Sequence, residues 1–301
     1  MARKFFSSEI VEKWNKEGIR GVGEFGGYEP WHKISRSDPS SRGRSHLTYC
    51  PKTNRMRHQL SDGEQTVLSF CLMVPNVIDI REQFKLDRYE HICELSNYNI
   101  KNNFFIDKGT VEIANDLKIK HPIVNGKSGS KKWVMTSDFV LTIQTTQTLE
   151  ILAISYKCQA ELIKKRVREK LSIEKKYWEL EKADWLLITE YQYSKLVGET
   201  TRRVLPWVMH PEQVSDETKQ KCALLKNDIE GKTYQQAIFT ISKELSISVD
   251  DSTIVFWQTV WSGLLYLDLK ILKFPTETIK FLSENDFWSQ NPLVARRSAC
   301  L

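Results

Sequence analysis

No apolar run in this 301-residue chain approaches the roughly 18 residues that a membrane-spanning helix needs, so no helical membrane span is expected. The N-terminal Met1-Ala-Arg-Lys-Phe-Phe-Ser-Ser8 carries charge but no apolar signal core behind it. The cysteines (50, 71, 93, 158, 222 and 300) are widely spaced and form no CxxC pair, which argues against a zinc ribbon. They read as reduced thiols of a cytoplasmic protein. Acids are scarce between residues 30 and 60, where only Asp38 is found.

What that stretch holds instead is positive charge: Lys33, Arg36, Arg42, Arg44, Lys52, Arg55 and Arg57, with His46 and His58 interleaved and Ser40, Ser41 and Ser45 as hydroxyl donors. Such a loop can neutralise phosphates, which makes Arg42, Arg44, His46, Lys52, Arg55 and Arg57 candidate contacts to a nucleic-acid backbone. The competing reading is a solvated basic loop. A second basic run, Lys164 to Lys170, sits on a predicted helix and faces either the same ligand or water. Length favours two domains, and 41% apolar residues with nine tryptophans can fill a sizeable core.

Two strand-like segments at the centre carry residues that a strand core does not want. Trp133 to Ile143 has Asp138 in its middle, and Leu149 to Lys157 ends on a lysine. The polar stretch Gln144 to Thr148 reads as a hairpin turn. Side chains alternate along a strand, so Ser155 and Lys157 share a face, and Asp138 shares it if the register allows. An acid, a polar residue and a lysine on adjacent strands form the skeleton of a metal-dependent nuclease site. Upstream, Ser61 with Glu64 makes a capping box at the start of a helix. Yet Glu64 lies on one helical face with Val67, Leu68 and Cys71, along the buried stripe. A carboxylate there wants a partner, and a metal ion is one candidate. Val77 to Phe84 follows as a strand, a helix spans about Gln159 to Lys182, and Trp185 to Thr189 is a short buried strand. That order predicts a mixed α/β sheet with a crossover helix.

Gly21-Val-Gly23-Glu-Phe-Gly26 matches GxGxxG but lacks the strand before it and the helix after it that nucleotide binding requires. From about residue 190 the pattern changes. A loop at Pro206, a helix around Ser215 to Ile229, helices at Thr233 to Leu245 and Ser252 to Leu265, and a strand at Tyr266 to Ile271 suggest a winged helix. The second of those paired helices has no Lys or Arg and carries Phe256, Trp257 and Trp261, unlike a DNA-reading helix. The tail from Phe287 to Leu301 reads as a flexible partner-binding segment.

Longer strings sharpen the reading. Tyr28-Glu-Pro-Trp31, Ser40-Ser-Arg-Gly-Arg-Ser-His46, Leu60-Ser-Asp-Gly-Glu64, Asp79-Ile-Arg-Glu-Gln-Phe84, Ile119-Lys-His-Pro122, Met135-Thr-Ser-Asp-Phe139 and Tyr177-Trp178 occur in the order expected of the TnsA family. These are the endonuclease subunits of Tn-seven-type transposons. The chain resembles that family over roughly residues 28 to 190. The resemblance implies a restriction-endonuclease-like (PD-(D/E)xK) catalytic domain, a mixed sheet flanked by helices over residues 1–190. A smaller, mainly α, winged-helix-like partner-binding domain is then expected over 191–301.

The resemblance also implies an activity: cleavage of the 5′ strand at transposon ends on double-stranded DNA, beside a DDE-type transposase that cuts and joins the 3′ strand. An AAA+ ATPase regulator is expected to dock on the C-terminal domain. The family's catalytic Glu, Asp and Lys fall on Glu64, Asp138 and Lys157. Glu64 and Asp138 are expected to hold Mg²⁺, with Mn²⁺ as substitute and the Tyr156 carbonyl as a further ligand. Lys157 either helps deprotonate the attacking water or stabilises the developing negative charge. Ser155 stands where the family often carries Gln and other nucleases of the fold carry an acid, so it is a weak ligand. Glu174 is a candidate substitute, but the favoured reading pairs it with Lys170 or Lys175 at the rim. A free-standing restriction or repair nuclease, or a catalytically decayed transposition adaptor, are the alternatives. The expected setting is the bacterial cytoplasm, on DNA.

Overall fold

The computed structural model describes residues 7–34, 44–51, 53–97, 106–127, 129–270 and 275–301. Arg36, Arg42, Lys52 and the Ser40–Ser41 pair of the basic loop lie outside them. Helix α1 (Ser8–Glu17) begins at Ser7, whose side chain accepts from the Ile10 amide. In the glycine string that follows, Gly21 and Gly23 have φ of 70° and 91°, and one bridge joins Val22 to Glu29. This is a turn, not a phosphate cradle. Strands β1 (His46–Cys50) and β2 (Arg55–Gln59) pair antiparallel. Helix α2 (Asp62–Met73) starts at Ser61, whose hydroxyl accepts from Glu64 N. The Glu64 carboxylate turns to Leu60 N instead of closing a capping box on Ser61 N.

Strand β3 (Val77–Lys85) comes next. Two short ribbons, β4 (His91–Ile92) with β5 (Ile106–Asp107) and β6 (Ile123–Gly126) with β7 (Gly129–Lys132), flank helix α3 (Thr110–Asp116). The central hairpin forms as expected, from β8 (Thr136–Gln144) and β9 (Leu149–Tyr156), with Phe139 opposite Ile154. Helices α4 (Gln159–Leu162) and α5 (Lys165–Leu180) then lead to β10 (Asp184–Ile188). The single helix expected here is broken at Lys164, whose ψ of 115° is extended. Arg168 Nη1 reaches back to the free carbonyls of Leu162 and Ile163.

The main sheet runs β10-β9-β8-β3. Its first three strands in sequence are antiparallel, and β10 joins β9 in parallel through the α4–α5 crossover. The result is a mixed sheet with helices on both faces. One face, with Phe139, Leu141 and Ile154, packs on α2. The other, with Val140, Ala153 and Phe84, packs on Ile173 and Trp178 of α5.

The remainder is mainly α: α6 (Lys195–Val208), α7 (Asp216–Leu224), α8 (Lys226–Ile229), α9 (Tyr234–Leu245), α10 (Val249–Trp261) and α11 (Glu284–Ser289). Three sequence readings change here, and one gains detail. Pro206 lies inside α6 instead of in a loop. Interior proline costs a helix about 3 kcal/mol, but burial of Val204, Leu205 and Val208 on the core offsets it. Phe256, Trp257 and Trp261 are all buried, so they are core and not a partner surface. The strand expected at 266–271 reduces, among the described residues, to an isolated Leu267–Phe281 bridge. The C-terminal tail is docked: Asn291 Nδ2 donates to Phe70 O, and Ala299 N donates to Leu187 O. That second bond occupies backbone on the outer strand β10, an edge that otherwise invites pairing. The apolar core runs continuously from the sheet face through α2 and α6 into the C-terminal helices.

The β1–β2 ribbon is fastened to β3 by charge. Glu82, fully buried, accepts from Arg55 at 2.6 and 2.8 Å, from Arg57 at 3.2 Å and from His58 N at 3.2 Å. Both arginines also donate to Ile80 O. Burial pushes the Glu82 carboxyl up, but Arg55 and Arg57 outweigh it and hold it below the usual carboxylate range. Removing one partner of a buried pair strands the other charges. Glu82→Ala is therefore expected to cost about 3–5 kcal/mol in urea unfolding. A loss under 1 kcal/mol contradicts this role. Because the carboxyl is depressed, wild type loses this contribution as pH falls below the ordinary carboxylate value of 4.5.

Candidate active site

The hairpin register carries Asp138 to the end of β8 beside the end of β9. Its Oδ2 accepts from Tyr156 N at 2.7 Å and from Lys157 Nζ at 3.0 Å. Lys157 Nζ also donates to Tyr156 O at 2.7 Å. Asp138 and Lys157, 19 residues apart in sequence, are thus locked together across one strand pair. Glu64 comes from the first turn of α2, opposite them. Its Oε2 accepts from Leu60 N at 2.9 Å and from Gln83 Nε2 at 3.3 Å, while Oε1 takes a long bond from Ser61 Oγ at 3.4 Å.

The rim pairing expected for Glu174 does not occur. Glu174 is 4% exposed and enters from α5, and its Oε1 accepts from Ser137 Oγ and Ser155 Oγ, both at 2.6 Å. Trp178 Nε1 donates to Ser137 Oγ in turn. The helical stripe Leu171, Glu174, Trp178 points inward, and two serines meet the acid there. Ser155 faces Glu174 and is absent from the cavity lining, whereas Glu174 is part of it.

Glu64, Asp138, Lys157 and Glu174 line one cavity of about 540 Å³ with Asp62, Gln83, Tyr156 and Lys170. Burial first, and then the Asp138 charge, push the Glu64 carboxyl up to about 8, against the Leu60 amide, Lys157 and Ser61. Burial and Asp138 raise Glu174 too. Burial works to lower Lys157, but Asp138, Glu174 and Glu64 outweigh it and hold the ammonium above the usual lysine range. The donor set, three carboxylates with a backbone carbonyl, consists of the oxygen ligands a hard divalent cation takes. The burial and the Asp138 repulsion that raise Glu64 are what such an ion offsets.

The candidate phosphate contacts separate. Arg55 and Arg57 are turned inward onto Glu82, away from the expected basic surface. Arg42 and Lys52 lie outside the described residues. Arg44 is exposed, and with His46 and Arg202 it converges on Asp62 at the cavity wall, at 3.9, 2.7 and 4.0 Å. Lys170, from the second basic run, lines the cavity and makes no ion pair among the described residues. Burial and the neighbouring Arg166 and Lys157 charges lower its ammonium pKa. Gln83 carries no signal in the sequence that marks it for the site, whereas Lys170 belongs to the second basic run. A further group, Cys93, Asp107 and Glu181, brings its ligand atoms within 4.8 Å of one another. It is separate from the cavity lining, and both Glu181 oxygens already accept, from His91 Nε2 and Glu94 N at 2.6 Å.

The TnsA-like endonuclease N-terminal family matches residues 74–190, a span that holds Asp138, Lys157 and Glu174 and stops short of Glu64. The transposon Tn7 transposition protein TnsA of Escherichia coli is 30% identical over 251 residues, covering 83% of this chain and 80% of that protein. Among the described residues no helix is long and apolar enough to cross a membrane.

Raised carboxyl groups give the metal-free site a pH signature. Glu64 binds its proton more tightly folded than unfolded, so its contribution is full below 4.5 and is lost as pH rises through about 8. Glu174 acts in the same direction. In chelator, the urea midpoint of wild type is expected to fall between pH 5 and 8, and Glu64→Gln to flatten that fall. An unchanged slope in the variant contradicts the assignment.

Proposed function

The chain belongs to the TnsA family of transposition endonucleases, and from that premise we propose that it is a metal-dependent DNA endonuclease cutting the 5′, non-transferred strand at transposon ends. It works in cut-and-paste transposition beside a DDE-type transposase, with an AAA+ regulator docking on residues 191–301. The observation that carries this reading is the cavity in which Asp138 and Lys157 share a hydrogen bond and face Glu64 and Glu174. A decayed adaptor has no use for three buried carboxylates around one ammonium, a costly arrangement to keep.

Glu64, Asp138, Glu174 and the Tyr156 carbonyl would hold Mg²⁺, with Mn²⁺ as substitute. When bound, the ion supplies the positive charge that activates water and stabilises the leaving oxygen in an in-line displacement at phosphorus. Lys157 acts as a donor. Its ammonium is held above the usual range, which leaves it no capacity to accept a proton near neutral pH. It therefore orients Asp138 and offers charge to a phosphoryl oxygen. Lys170, free of an ion pair among the described residues, and Arg44 with His46 beside Asp62 of the cavity wall are suited to the flanking phosphates.

Strand-resolved mapping of cuts at donor ends, in the reconstituted transposition system, tests the reading. Wild type is expected to cut both strands, and Asp138→Ala and Glu174→Gln to lose only the 5′-strand cut, by at least about 100-fold. Retention of both cuts by Asp138→Ala overturns the site. Efficient sequence-specific cleavage by the protein alone favours the restriction-type alternative.

A further inference from the structure

Gln83 is the one residue of β3 with a left-handed backbone, φ 48°. It lies between Glu82, opposite Phe139, and Phe84, opposite Ser137. Side chains two apart on a regular strand share a face. Here Ile80 joins the apolar cluster on the α2 side, whereas Phe84 joins that on the α5 side. The strand changes face at Gln83, next to the cavity.

A non-glycine residue holds such a conformation only when its surroundings force it, and three contacts do. Trp31 N donates to Gln83 O at 3.2 Å, and Tyr28 OH donates to Glu82 O at 3.1 Å. Arg55 and Arg57 grip the Glu82 carboxylate. The Tyr28-Glu-Pro-Trp31 string thereby finds a physical use as a brace on β3.

Glycine would take this backbone freely, yet the position carries a long amide, 2% exposed, and Nε2 donates to Glu64 Oε2. We infer that Gln83 is a positioning residue for Glu64: its amide, with Leu60 N, anchors Oε2, while Oε1 keeps only the long 3.4 Å bond from Ser61 Oγ that a ligand can displace. The inference rests on the proposed metal role of Glu64. Partners of this kind fix ligand orientation, and losing one weakens metal affinity by about 10–100-fold.

The test is calorimetric titration of Mn²⁺ into the full-length protein without DNA, together with thermal unfolding. Gln83→Gly keeps the left-handed backbone and removes the amide. It is expected to unfold no earlier than wild type and to bind Mn²⁺ about 10–100-fold more weakly. Gln83→Asn, which tolerates the same backbone but is one methylene too short, is expected to weaken binding as well. Wild-type affinity in Gln83→Gly, or in Gln83→Asn where the glycine variant is unstable, overturns the inference while leaving the metal site standing, provided Glu64→Gln still weakens binding. If Glu64→Gln binds Mn²⁺ as wild type does, the metal role of Glu64 falls, and the role of Gln83 falls with it.

Discussion

Three buried carboxylates gather around the Lys157 ammonium in one cavity, and the rest of the structure is arranged to hold them there. Glu64, Asp138 and Glu174 arrive from α2, β8 and α5, and Lys157 alone among them opposes their charge. Burial first, and the Asp138 charge second, make the ionised Glu64 expensive to keep and push its carboxyl up to about 8. A fold that builds such a group and then braces it with Leu60 N, Ser137 and Ser155 keeps an unfavourable ground state ready for a cation.

The brace extends outward in layers. The Glu82 cluster ties β1–β2 to β3 and fixes the strand where it changes face. Trp178, buried against Phe84, sets Ser137, and Ser137 with Ser155 sets Glu174. On the opposite side of the sheet, α2 is pinned by the C-terminal region through Asn291 and Phe70. The position of Glu64 therefore depends on residues more than 200 positions away in sequence. The C-terminal part thereby supports the site.

Much of this was legible in the sequence, for physical reasons. Asp138 and Lys157 violate the apolar pattern of two neighbouring strands, and a short turn fixes their register. Glu64 breaks a helical stripe of Val67, Leu68 and Cys71. Glu174 breaks another between Leu171 and Trp178, but periodicity gives a face and not a partner, so its serines stayed hidden. Arg55 and Arg57 turn inward where a charge count points them outward, because a count carries no direction; the acid that draws them is Glu82, inside β3. Nothing in residue type announces a left-handed Gln83, since glutamine has no preference for that region. The docked tail was invisible because edge protection depends on which strand ends up outermost.

The most direct measurement is a crystal structure with Mn²⁺ at saturating concentration, read by anomalous scattering. A cavity built for a cation gives a peak bounded by Glu64, Asp138 and Glu174, with Glu64 Oε1 turned toward it. An empty cavity, or a peak only beside Cys93, Asp107 and Glu181, contradicts the assignment of these carboxylates as the metal-holding centre.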